Sequence, residues 1–200
     1  MLNIIYFFME VAAILIVFDI FEFTKAFAST LQGDTLPKNQ GELTLNPFKH
    51  FEPIGFMLML FAGLGWGKPV QTSQVSYKDK RRGNLITYAS PVLVCIVLSI
   101  CFKYARLMFA LFFDGVLWIE WADYFVKVLR TYCLRTAVIN LIPVYPLSGS
   151  RIIRCFLSPN AQVSFSRNEK MYQMILVFLL LMGLVNPVVS TVVAVFAKIF

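Results

Sequence analysis

The sequence predicts an all-α protein: a polytopic membrane helix bundle of about four spanning helices, with a re-entrant segment and a short extended or β region after the first helix. Three observations predict it. Of 200 residues, 58% are hydrophobic and only 14% charged, whereas a soluble domain carries roughly a quarter charged. Mean hydropathy is +0.72. Several apolar stretches also reach the roughly 20 residues needed to cross hydrocarbon.

Four stretches qualify as spans: 2–28, 84–113, 124–146 and 171–198. Helix is their expected form, because lipid offers no partner to an unpaired backbone amide. Residues 1–20 lack the basic start and the small-residue cleavage site of a secretory signal, so the first stretch is expected to be retained. The stretch Pro53 to Trp66 is shorter and contains Gly55, Gly63 and Gly65, with Gly67 and Pro69 following. Its length suits a re-entrant segment better than a span. Residues 1–200 form one membrane domain, and no soluble stretch is long enough for an appended regulatory domain.

The net charge of +7 does not point to nucleic acid, because the basic residues fall in short stretches between apolar runs. Lys68, Lys78, Lys80, Arg81 and Arg82 face one acid, Asp79, in 67–83. Arg151, Arg154, Arg167 and Lys170 face Glu169 in 147–170. Segment 114–123 holds Asp114, Glu120 and Asp123 with no basic residue. The first two segments are therefore expected in the cytosol and the third outside. Charge alone does not orient the first helix, since 28–52 sets Lys38 and Lys49 against Asp34, Glu42 and Glu52. Cys95, Cys101, Cys133 and Cys155 show no C-x-x-C spacing and read as reduced core residues.

The segment Asn140-Leu-Ile-Pro143-Val-Tyr-Pro146-Leu-Ser148-Gly149 resembles the N-x-x-P-x-x-P-L-D-G motif of the site-2 proteases, a family of intramembrane zinc metalloproteases. Other stretches agree in order. Gly33-Asp34, Gly41-Glu-Leu-Thr-Leu-Asn46-Pro47 and His50-Phe-Glu52-Pro53-Ile-Gly55 are similar to the run that follows the catalytic helix in small bacterial and archaeal members. Gly65-Trp66-Gly67-Lys68-Pro69-Val70 is similar to the family's G-W-A-K-P-V, and Arg81-Arg82-Gly83 and Ser90-Pro91 follow. The resemblance covers about 18–155, leaving 171–198 as a C-terminal helix. It implies an integral, multi-pass protein of a bacterial or archaeal cell membrane. It also implies that the ends of 2–28 and 124–146 meet at one depth, which places Met1 outside and makes 53–66 re-entrant.

Registered on that run, the family's H-E-x-x-H falls on Phe21-Glu22-Phe23-Thr24-Lys25. In active members the two histidines and the L-D-G aspartate bind zinc, and the glutamate activates the metal-bound water. Here those ligands are replaced by Phe21, Lys25 and Ser148, and only the base, Glu22, survives. None of the three replacements is a plausible zinc ligand, so no metal or other cofactor is expected. His50 is the sole histidine; the family has a histidine there without using it as a ligand, and its ordinary role is structural. A rebuilt site of Glu22, Asp19 and His50 is the alternative for metal.

Three readings of the altered site stand side by side. Phe21, Phe23 and Phe27 fill the space once held by metal and water while Lys25 snorkels. Or Lys25, three residues along the same helix face, neutralises Glu22 in place of the metal. Or Ser148 and Lys25 form a nucleophile–base pair, against which a carboxylate one turn away works by favouring the charged ammonium. The expected function is a pseudoprotease that keeps the helix cradle and binds a transmembrane protein or peptide segment, with lipid as its other partner. In the family the asparagine of N-x-x-P helps orient the extended substrate, which makes Asn140 and Pro143 the candidate substrate contacts. The alternative is a membrane endopeptidase using Ser148 and Lys25; a small transporter is disfavoured, because intramembrane polar residues are few and cluster at one site.

Overall fold

The computed structural model of the chain describes residues 2–112 and 117–199. Three long helices form its core: α1 (Leu2–Leu31), α4 (Lys80–Phe112) and α5 (Leu117–Ile139). Between α1 and α4 lie α2 (Leu36–Asn39), α3 (Pro53–Ala62) and a 3-10 turn at Gln74–Ser76. After α5 come α6 (Ser148–Arg154), α7 (Pro159–Arg167), α8 (Glu169–Leu181) and α9 (Asn186–Ile199).

Small and aliphatic side chains knit α1, α4 and α5 together, with Ala13, Ile14, Val17, Cys95, Cys133 and Ala137 almost fully buried among them. Side-chain pairs give the directions of these helices. Tyr6 stacks on Trp121 with ring centroids 5.4 Å apart, and Tyr124 donates its hydroxyl to Glu10 at 3.0 Å, so α1 and α5 begin at the same end. Ser29, near the end of α1, meets Tyr77 and through it Thr87 of α4, so α4 runs antiparallel to both. α1 and α5 therefore run parallel, and Lys25 of α1 shares a cleft with Tyr145 and Pro146 of the turn after α5.

Two helical segments, Ile4–Leu31 and Lys80–Phe112, are long and apolar enough to cross a membrane, and the bent pair α8–α9 makes a third if it counts as one span. The four clear spans expected from the sequence are therefore not seen. α5 has the length, at 23 residues, but it carries Glu120, Asp123, Lys127, Arg130 and Arg135. Several of these have partners inside the protein. Asp123 accepts twice from Arg106 at 2.7 and 2.9 Å, Arg130 donates to the Ala197 carbonyl and Arg135 to the Gly63 carbonyl. α5 also ends at Ile139 rather than Pro146, the remainder forming the turn that carries the N-x-x-P motif. The single C-terminal helix expected over 171–198 is instead broken by an 81° bend. Gly183 there has a φ of +71°, which glycine adopts without strain, and Pro187 has no N–H to continue a helix. Asp114, expected in an outer acidic loop, lies outside the described residues.

α3 is ten residues, about 15 Å long and half the hydrocarbon thickness. The chain does not continue past it in the same direction. The Lys68 amide donates to the His50 carbonyl at 2.8 Å, so the legs leading into and out of 51–67 lie side by side. Glycines permit the turn back: a Cβ on Gly65 would stand 1.9 Å from the Gly55 carbonyl oxygen, and one on Gly55 would stand 2.0 Å from the Trp66 oxygen. The last carbonyls of α3 are satisfied from elsewhere, Ala62 by Asn186 at 2.6 Å and Gly63 by Arg135 at 3.1 Å. Those bonds remove the penalty a helix end meets away from water.

No strand occurs among the described residues, so the expected β region is absent. Segment 68–73 is extended but its amides pair with carboxylates instead of a neighbouring strand. Val70 donates to Glu22 at 2.9 Å, Gln71 to Glu42 at 3.0 Å and Ser73 to Asp34 at 2.7 Å.

Candidate functional site

Phe21, Glu22 and Lys25 share the inner face of α1, and each is buried. The Lys25 ammonium donates to both Glu22 oxygens, at 2.7 and 2.8 Å. Lys25 is 1% exposed and Glu22 3%. The carboxylate takes a further hydrogen bond from the Val70 amide, which fastens the extended leg across α1. The ammonium also faces the ring of Phe21 at 5.1 Å and that of Tyr88 at 5.7 Å. Of the three readings open to the sequence, the geometry matches the second: Lys25 pairs with Glu22, and Phe21 packs beside the pair.

The turn after α5 supplies the other half. Asn140 donates its side-chain amide to the Thr136 carbonyl at 2.9 Å and accepts from the Ser148 amide at 3.1 Å. Its own carbonyl accepts from Gly149 at 2.7 Å. Gly149 is needed for this closeness, since a Cβ there would meet the Ile142 and Leu141 carbonyl oxygens at 2.4 and 2.5 Å. Asn140 is thus buried and engaged in holding the turn, while Pro143 lies exposed on it. Ser148 is fully buried and its hydroxyl has no hydrogen-bond partner.

A cleft of about 350 Å³ opens beside the pair, walled by Lys25, Val70, Tyr88, Tyr145, Pro146 and Arg151. Glu22, Phe21 and Ser148 do not line it. The Gly33-Asp34 motif braces its far side. Asp34 accepts from the Ser29 hydroxyl at 2.8 Å and the Ser73 amide at 2.7 Å, and caps α2 through the Leu36 amide at 2.9 Å. Sequence reasoning missed Tyr88 and Arg151 as cleft residues; an isolated tyrosine in an apolar helix carries no signal of what it faces.

His50 is buried, with Nε2 3.0 Å from the Thr44 carbonyl and 3.7 Å from Asp19 Oδ1. Among the described residues, no three His, Cys, Asp or Glu side chains are grouped so as to hold a metal. The residues at the family's ligand positions do not fit zinc. Phenylalanine offers no lone pair, a buried ammonium repels a dication, and the surviving Glu22 has both oxygens bonded to that ammonium.

The chain is 34% identical over 167 residues to the Bacillus subtilis (strain 168) protein named "Putative zinc metalloprotease YwhC", an alignment covering 80% of this chain and 74% of that one. The chain belongs to the site-2-protease-like zinc metalloprotease family. Neither a family model nor a solved structure matches it.

Proposed function

We infer that the protein is a non-catalytic member of this family, a multi-pass protein of a bacterial or archaeal cell membrane that retains the cradle without the metal. In this reading α1, α4 and α5 span, α3 dips in from the cytosolic side and returns, and the cleft receives an extended segment of a membrane partner. The observation that supports it most is the Lys25–Glu22 pair, in which a protein-borne positive charge stands against the carboxylate that in active relatives serves metal-bound water. Asn140 and Pro143 act on the partner through the turn they shape, Asn140 from within and Pro143 at its surface.

The second reading, hydrolysis by Ser148 and Lys25, has one observation in its favour, the unpartnered Ser148 hydroxyl. A lysine acting as base must take up the nucleophile's proton, and here the ammonium is directed at Glu22. Elemental analysis of the detergent-purified full chain, run beside a cleavage assay on membrane-embedded peptides, separates the readings. The pseudoprotease reading expects neither stoichiometric zinc nor cleavage. Cleavage lost on Ser148→Ala or Lys25→Met overturns it, as does about one zinc per chain that disappears on changing Glu22 or His50.

A further inference from the structure

A second concavity, of about 600 Å³, lies between the start of α4, the extended leg and the α6–α7 elbow. Its wall carries Lys80, Arg81, Arg151 and Arg154 and no acidic side chain. We propose that this cavity binds a phosphate-bearing anion, either the phosphodiester headgroup of an anionic lipid or a soluble phosphate ester.

An ordinary positive-inside loop holds its charges apart in water, as Arg82 does: its side chain is 85% exposed and sits 3.5 Å from Asp79. The four cavity cations are instead gathered: Arg151 and Arg154 are partly buried, and the exposed Lys80 and Arg81 share their wall. The buried Asn84 donates to the Arg151 carbonyl at 3.3 Å and accepts from Gln74 at 3.0 Å, tying α6 to α4 and to the 3-10 turn. Gln162 donates to the Arg154 carbonyl at 3.0 Å, tying α7 to α6. The Arg81 guanidinium lies over Phe156 at 5.2 Å and that of Arg154 over Phe165 at 5.3 Å, cation–π contacts that hold both side chains at the wall.

Compensation is partial. Glu169 meets Arg154 at 2.7 Å, yet Arg154 Nε is buried with no hydrogen-bond partner. Burial, together with the neighbouring Arg151, pulls the Arg154 guanidinium below its ordinary value despite Glu169. A bound anion relieves that crowding of positive charge. The volume falls within the range of small-ligand sites and exceeds what a bare phosphate needs. Thr72 and Arg151 also line the cleft that ends at Lys25, so the two cavities share a wall.

Two arms test the proposal on the full chain in neutral detergent. Native mass spectrometry compares retention of phosphatidylglycerol with that of phosphatidylcholine, and thermal shifts compare sodium pyrophosphate with sodium chloride at equal ionic strength. Selective retention of phosphatidylglycerol identifies a lipid headgroup; stabilisation by pyrophosphate alone identifies a soluble phosphate ester. The variant Arg81→Gln/Arg151→Gln should weaken the responding probe roughly tenfold or more, the loss of a charge-assisted hydrogen bond. Arg82→Gln, which removes the same kind of charge outside the cavity, should change it by less than about twofold. If Arg151→Gln does not fold, Lys80→Gln/Arg81→Gln, at two exposed positions, gives the same comparison. An equal loss in Arg82→Gln, or no preferential response to either probe, overturns the proposal.

Discussion

The ammonium of Lys25 and the carboxylate of Glu22, one helical turn apart on α1, share two hydrogen bonds of 2.7 and 2.8 Å in a site almost closed to water. A buried charge without a partner is far more costly than a buried pair, so each residue explains the other's presence. Lys25→Met and Glu22→Gln should each destabilise the fold by roughly 3–5 kcal/mol, and the double variant should recover much of that loss. A double-mutant cycle on thermal stability in detergent measures the coupling. Simple addition of the two single losses means that the pair does not form in the protein.

The same pair governs any attempt to restore metal. Phe21→His and Lys25→His without Ser148→Asp leave an incomplete ligand set, and any variant that keeps Lys25 keeps an ammonium at the metal's place. Only the triple variant should take up zinc with fixed stoichiometry, read by elemental analysis after dialysis against chelator. Zinc held by the unaltered chain contradicts this expectation.

The His50–Lys68 backbone bond sets the two legs of 51–67 side by side, as a segment that leaves and returns on one side of a membrane would have them. Single cysteines at 40 and 78, both exposed positions, should label from the same face of the membrane, and one at 118 from the opposite face. Cys101 is exposed and must first be replaced. Opposite labelling of 40 and 78 shows that the segment crosses.

Glycine is required where α3 meets its returning leg. Gly65→Ala places a methyl 1.9 Å from the Gly55 carbonyl oxygen, a backbone atom that cannot swing aside. The change should lower stability by roughly 1–3 kcal/mol or more. Gly67→Ala, whose nearest neighbour would be 3.1 Å away, should be milder. Thermal denaturation of the two variants in one detergent makes the comparison, and equal losses count against the close contact.

Membrane character, helical class and family are legible in the residues alone. Apolar length leaves a backbone no choice but to bond to itself, and motifs such as Asn140–Gly149 encode turns whose glycine and asparagine are irreplaceable locally. The three-residue spacing of Glu22 and Lys25 on one helix face also made their pairing one of three open readings, the one whose geometry the structure matches. Non-local relationships come from packing. Carboxylates of Glu22, Glu42 and Asp34, from three separate parts of the chain, hold the amides along 68–73, whereas the sequence suggested only a short extended or β region after the first helix. Lys127, Arg130 and Arg135 stand in the sequence of 124–146, but that the guanidinium groups of Arg130 and Arg135 meet carbonyls near the ends of α9 and α3 follows from packing alone. The bend at Gly183 divides what hydropathy shows as one run. The gathering of Lys80, Arg81, Arg151 and Arg154 around one cavity was equally hidden, because charges some 70 residues apart become neighbours only when α6 docks on α4, as the Asn84–Arg151 bond records.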